Sequence, residues 1–161
     1  MATLDTLVVD QKLHRITVPL GRKESHERLI YGSPEALRWM REDVPVMTTG
    51  RLRAAQTPFE QLDSILHRWT AGYPIRYRTH LFDLMPGSDE TWELKTVDLR
   101  IFGWIYRPQI FIAVCGGYAD WYKPPDKKLN YEDDRRLILR ERAALDLDEP
   151  KFVKGMFHEL V

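Results

Sequence analysis

Ile110-Phe111-Ile112-Ala113-Val114-Cys115 is an unbroken apolar run of β-forming residues, bounded by Pro108 on one side and Gly116-Gly117 on the other. A run this short with those boundaries predicts a strand buried on both faces. Just before it, Leu99-Arg100-Ile101-Phe102-Gly103-Trp104-Ile105 reads as a second strand, and Tyr106-Arg107-Pro108-Gln109 as the turn between the two. Trp92-Glu93-Leu94-Lys95-Thr96 alternates apolar with polar residues, the pattern of a half-solvated strand. The expected outcome is an antiparallel meander whose rims carry Lys95, Arg100, Arg107 and Lys123.

Upstream, residues 1–12 give no strong pattern and read as a loose arm. His14–Leu20 alternates and predicts a first strand, with Pro19 ending it or marking an edge. Arg28-Leu29-Ile30-Tyr31 reads as a short return strand. Ser33-Pro34-Glu35 starts a helix running to about Glu42, with a capping hydroxyl, proline in the first turn and an acid near the positive end of the dipole. Thr57-Pro58-Phe59-Glu60 is a capping-box sequence, and Phe59, Leu62, Ile65, Leu66 and Trp69 then recur on one helical face until Gly72. Ile75–Phe82 alternates as a strand with Arg76 and Arg78 on its outer face, and Pro86-Gly87-Ser88-Asp89 turns it toward the meander. Beyond Lys123, a proline-stiffened loop carries Lys127-Lys128, and Asn130 caps a charged helix through about Leu145. Its arginines 135, 136, 140 and 142 alternate with Glu132 and Glu141, the pattern of a salt-bridged surface helix. Asp148-Glu149-Pro150 reads as the start of a last short helix, with Gly155 inside or near its end.

The 161 residues fit one domain, and an apolar fraction of 43% supplies its core. With 24 basic and 24 acidic residues there is no whole-chain argument for nucleic acid, so only local asymmetry can make one. The single Cys115 forms no internal disulfide and suits a reducing interior. With no leader pattern and no apolar run near the ~20 residues a membrane helix needs, the expectation is a cytoplasmic chain without a membrane partner. The histidines show no metal-ligand spacing, so neither metal nor cofactor is expected.

Glu93-Leu94-Lys95, Leu99-Arg100-Ile101-Phe102, the apolar strand Ile110–Val114 and Lys123 with Lys127-Lys128 nearby together resemble the RelE/ParE superfamily, most of all its HigB-like, phage-derived branch. The resemblance covers roughly residues 57–145. It implies an α+β fold: a curled antiparallel sheet of four to five strands, two helices on one face and a C-terminal helical tail. It also implies the toxin of a toxin–antitoxin pair, a metal-independent endoribonuclease that cleaves messenger RNA, usually on the ribosome, and is silenced by a cognate antitoxin.

Such cleavage uses the RNA's own 2′-hydroxyl as nucleophile. The protein must move protons and stabilise charge on the phosphorus-centred transition state, which fixed cations do well. Lys95, Arg100 and Lys123 are the cationic candidates, and Tyr122 a candidate for proton transfer. Arg76, Arg78, Arg107, Lys127 and Lys128 are candidates for holding flanking phosphates, and Tyr131 for stacking on a base. The same strand cations also read as a wetted face, with Arg100 paired to Asp98 or Asp120. The neutral total charge and the extra N-terminal segment favour the alternative of a non-catalytic, prophage-type interaction protein on a RelE-like scaffold.

Overall fold

In the computed structural model, residues 1–84 and 89–161 are described. The apolar run anticipated as the central strand is β6, Ile110–Tyr118, and it lies inside a six-stranded sheet. Its partners in the meander are β5 (Leu99–Arg107) and β4 (Trp92–Lys95), joined antiparallel, with β3 (Leu81–Asp83) beyond β4 at the edge. On the other side, β2 (Leu29–Gly32) runs parallel to β6, and β1 (His14–Arg15) pairs antiparallel with β2. The sheet is therefore mixed and has six strands, where an all-antiparallel sheet of four to five was expected. The crossover from β2 to β6 carries two helical segments and the whole meander, which is what lets the two strands run the same way.

Helices cover both faces rather than one. On the first face α3 (Pro58–Thr70) buries Leu62, Ile65, Leu66 and Trp69 against Leu94, Leu99, Ile101 and Phe111. Each such side chain contributes about 1.5–3 kcal/mol when removed from water. The capping box at its start is complete: Thr57 Oγ1 accepts from the Glu60 amide at 3.2 Å, and Glu60 accepts from the Thr57 amide at 2.8 Å. At its end Gly72 takes a φ of +77°, a conformation glycine reaches without a Cβ clash. The indole of Trp69 donates to the Leu29 carbonyl at 2.9 Å, tying this helix to β2. Phe59, expected on the buried stripe, is 45% exposed, and the buried position one turn ahead of Ile65 belongs to Gln61. Beside α3 lies α2 (Pro34–Arg38), capped by Ser33 and continued by wider and tighter turns through Val46, with Ala36, Trp39 and Met40 buried.

The second face is covered by α4 (Tyr131–Ala144), capped by Asn130, and by α1 (Leu4–Val9), capped by Thr3. Ile138 of α4 and Leu7 of α1 join Phe102, Trp104, Ile112 and Val114 in a second core cluster. The expected loose arm is thus a helix, because Leu7 supplies an apolar anchor for that face. Arg142 is also buried: its guanidinium donates to the carbonyls of Asp89 and Glu90 and lies 4.0 Å from the Phe152 ring. Arg135 and Arg136 do pair with Glu132, as the surface reading expected.

Three further expectations change. The first strand is only two residues long, because beyond Ile16, whose amide donates to Ile30, the chain leaves the sheet. No helix starts at Asp148; the last helix is α5 (Phe157–Leu160), preceded by extended chain in which the Val153 amide donates to Ile105. The expected strand Ile75–Phe82 is mostly turn: Arg78 has a φ of +66° and bonds to Leu81, leaving Leu81–Asp83 as the strand. Residues 86–88 of the turn expected to follow lie outside the described residues.

Candidate functional site

Pairing of β4 with β5 sets Lys95 directly across from Arg100 and Glu93 across from Phe102. Residues two apart on a strand share a face, so Glu93, Lys95 and Arg100 all point to the α4 side. The Glu93 carboxylate is only 3% exposed, and one oxygen is 3.9 Å from the Lys95 ammonium while the other is 3.9 Å from Arg100 Nε. The alternation of β4 had suggested a half-wet strand, but Glu93 is buried because α4 and the Tyr122 turn close over it. Lys123, at the end of that turn, is exposed, and its charge acts on both Glu93 and Lys95. Two of the four expected catalytic residues, Lys95 and Arg100, therefore flank one buried carboxylate, and the charge of Lys123 acts on it from the turn.

Burial pushes Glu93 above the ordinary carboxylate range, against the pull of Arg100, Lys95 and Lys123. Burial also pulls Lys95 below the ordinary lysine range, opposed by Glu93 and assisted by Arg100 and Lys123. The two proton affinities thus move toward each other, a combination that concentrates at functional sites. Arg100 is 7% exposed, and its Nη1 donates to the carbonyls of Thr96 at 2.7 Å and Leu99 at 2.8 Å. Its Nε has no well-formed hydrogen bond and faces Glu93. Neither Asp98 nor Asp120 is its partner: Asp98 accepts from Gly50 and Gln61, and Asp120 from Arg51.

Tyr122, the fourth expected catalytic residue, is 5% exposed and stacks on Tyr131 at 4.5 Å between ring centroids. Its hydroxyl and Asp134 Oδ2 are both buried without a well-formed hydrogen bond. Burial raises the pKa of Tyr122, of Tyr131, of Asp134 and of Cys115, whose thiol donates to Asp134 at 3.6 Å. Tyr131 is the more accessible ring of the stack and is influenced by both Glu93 and Arg100.

The RNA-binding candidates divide. The Arg78 guanidinium lies 5.8 Å from the Phe82 ring, over which the Lys95 ammonium also sits at 5.5 Å, so Arg78 borders the cluster. Arg76 is exposed in the same turn. Lys127 and Lys128 are exposed in the loop after Lys123, with Lys128 4.9 Å from the Trp121 ring. Arg107 is at the far end of β5 from Arg100, and its guanidinium is held by the carbonyls of Tyr106, Asp148 and Pro150 and stacked 3.9 Å from Tyr106. It fastens the C-terminal segment and takes no part in the cluster.

The principal residue that pattern reading missed is Gln61. Its side chain makes four hydrogen bonds: to Asp98 Oδ2 at 2.7 Å and the Gln56 carbonyl at 2.9 Å as donor, and from Thr96 Oγ1 at 2.8 Å and the Asp98 amide at 2.9 Å as acceptor. It thereby fixes the β4–β5 turn, and with it the Lys95 and Arg100 ends, against α3. The available signal was a glutamine one turn ahead of Ile65 on an apolar helical stripe. Among the described residues, no group of three or more His, Cys, Asp or Glu side chains is placed to hold a metal ion, and no helix is long and apolar enough to cross a membrane. No family model, curated protein or solved structure matches the chain.

Proposed function

We propose that this chain is a metal-independent endoribonuclease that cleaves messenger RNA on the ribosome, the toxin of a pair whose antitoxin covers the Lys95–Lys123 face. The observation that carries the reading is that Lys95 and Arg100, from two strands, flank the buried Glu93, with the charge of Lys123 acting on it from the turn. The element order adds support: helical segments precede the β3–β6 strands and a charged helix follows them.

In this reading Lys123, an exposed cation, holds the scissile phosphate, and Lys95 beside it receives a proton. Arg100 and Glu93 lie behind them and set the charge and position of Lys95. The RNA 2′-hydroxyl gives its proton to Lys95 in its neutral form while its oxygen attacks phosphorus. The bond from phosphorus to the 5′-oxygen breaks, and that oxygen takes a proton from a water molecule, whose hydroxide the Lys95 ammonium then neutralises, leaving a 2′,3′-cyclic phosphate and a 5′-hydroxyl. Tyr131 supplies a ring on which a base can stack.

The test is incubation of the purified chain, in chelator, with single-stranded RNA and with translating ribosomes, scoring cyclic-phosphate ends. Lys95→Ala is expected to lower the rate by ~10²-fold or more, the scale of general acid–base help. Wild-type protein that cleaves neither substrate would overturn the proposal and leave the non-catalytic interaction protein in its place.

A further inference from the structure

A cleft of about 380 Å³ opens between α3 and the β4–β5 turn, at the foot of the same strand that carries Lys95. That size is within the range of small-molecule sites. Gln61 and Ser64 line its helical side, Lys95 and Thr96 its strand side, and Arg68 and His80 also border it. No carboxylate lines it, in a chain whose acids and bases are equal in number.

Its polar groups are fixed before any ligand arrives. Arg68 is half-buried, and its Nη1 donates to the Pro74 carbonyl at 2.9 Å. Among the described residues it makes no ion pair, so its remaining donors have no anion. His80 Nδ1 accepts from the Arg76 amide at 3.0 Å, which places the proton of the neutral ring on Nε2 as a donor. Burial, with the charges of Arg68 and Arg76, holds His80 below its ordinary value, so it stays neutral at physiological pH. A guanidinium, an imidazole N–H and the Ser64 and Thr79 hydroxyls at one cleft without an opposing acid are a donor set that receives phosphate oxygens.

We infer that this cleft is a nucleotide subsite: it binds the phosphate of the nucleotide next to the cleavage point in single-stranded RNA, with Arg68 and His80 as its specific ligands. Phosphate binding stands on the cleft alone, while its place along the RNA rests on the nuclease reading, because Lys95 borders both the cleft and the Glu93 cluster. The strand of RNA then runs from Lys123 across Lys95 toward Arg68.

The experiment is a titration of the full chain, followed by amide NMR shifts, with inorganic phosphate, a nucleoside 5′-monophosphate and an uncleavable 2′-deoxy trinucleotide. The trinucleotide is expected to bind most tightly and to shift amides at residues 61–68 and 79–80. Arg68→Gln and His80→Gln, both checked for wild-type melting, are each expected to weaken it at least tenfold. In the cleavage assay they are expected to raise KM, where Lys95→Ala lowers kcat. Trinucleotide binding lost in these variants supports the subsite even if no RNA is cut. RNA cleavage by the wild type with unchanged trinucleotide affinity in both variants overturns the subsite and leaves the nuclease reading standing. Shifts with inorganic phosphate alone, an adventitious ion only, overturn it as well.

Discussion

Replacing Gln61 with leucine should be among the most damaging single changes outside the apolar core. The side chain is 4% exposed, and of its four hydrogen bonds the two to Asp98 are fully buried while those to Gln56 and Thr96 are part-buried. The three bonds to neutral partners contribute about 1 kcal/mol each, and the bond to the Asp98 carboxylate about 2, for a gross loss of about 5 kcal/mol. Leucine fills nearly the same space and returns about 1–2 kcal/mol of apolar burial. The net expectation is a loss of about 3–4 kcal/mol. With a urea slope of about 2 kcal/mol/M for a chain of this size, the midpoint should fall by about 1.5–2 M. The assay is urea unfolding followed by tryptophan fluorescence, since Trp69 and Trp104 are both fully buried. Adding Asp98→Asn to Gln61→Leu should recover part of the loss, because the buried carboxylate no longer lacks a donor. A midpoint shift below about 0.5 M would refute the view that this glutamine ties the β4–β5 turn to α3.

Gly103→Ala should prevent folding or cost more than the ~1–3 kcal/mol of ordinary overpacking, since the new methyl would collide with the Ile112 carbonyl on the paired strand; circular dichroism of the variant decides it. At the surface, the Glu24 carboxylate is held down at about 2 from an ordinary 4.5 by hydrogen bonds from Tyr73, the Gly21 amide and His67. A depressed acid contributes stability that is full above 4.5 and lost as pH falls through about 2, so the melting temperature should drop across that window. Glu24→Gln should flatten that part of the pH profile, and an unchanged slope would remove this contact from the account.

The strands of the meander were legible because β-branched and aromatic runs ended in proline and glycine, and the α3 start because its capping box is a local device. What pattern reading lost were consequences of the second face. Glu93 alternates as a solvent-facing residue should, and nothing nearby in sequence announces that α4, some forty residues later, will bury it. Leu7 likewise looks unremarkable until a face needs it. The parallel pairing of β2 with β6 was hidden for the same reason: strand direction is set by a long crossover, while composition speaks only for the strand itself. In the site, strand alternation put Glu93 and Lys95 on one face, and the β4–β5 register brought Arg100 opposite Lys95. Arg68 and His80 escaped because each sits where a helix or turn ordinarily meets solvent, and Gln61 because a lone polar residue on an apolar stripe does not name its partners.

The partnership of β2 with β6 also has a consequence for how the chain is made. Strand β2 leaves the ribosome about eighty residues before its neighbour, which at ~5–20 residues per second is a wait of about 4–16 s. During that interval β1, α2 and α3 can reach β2, but the Leu29–Gly32 edge that β6 will pair with has no strand against it. The parallel pair that centres the sheet therefore closes only once the whole meander has been made.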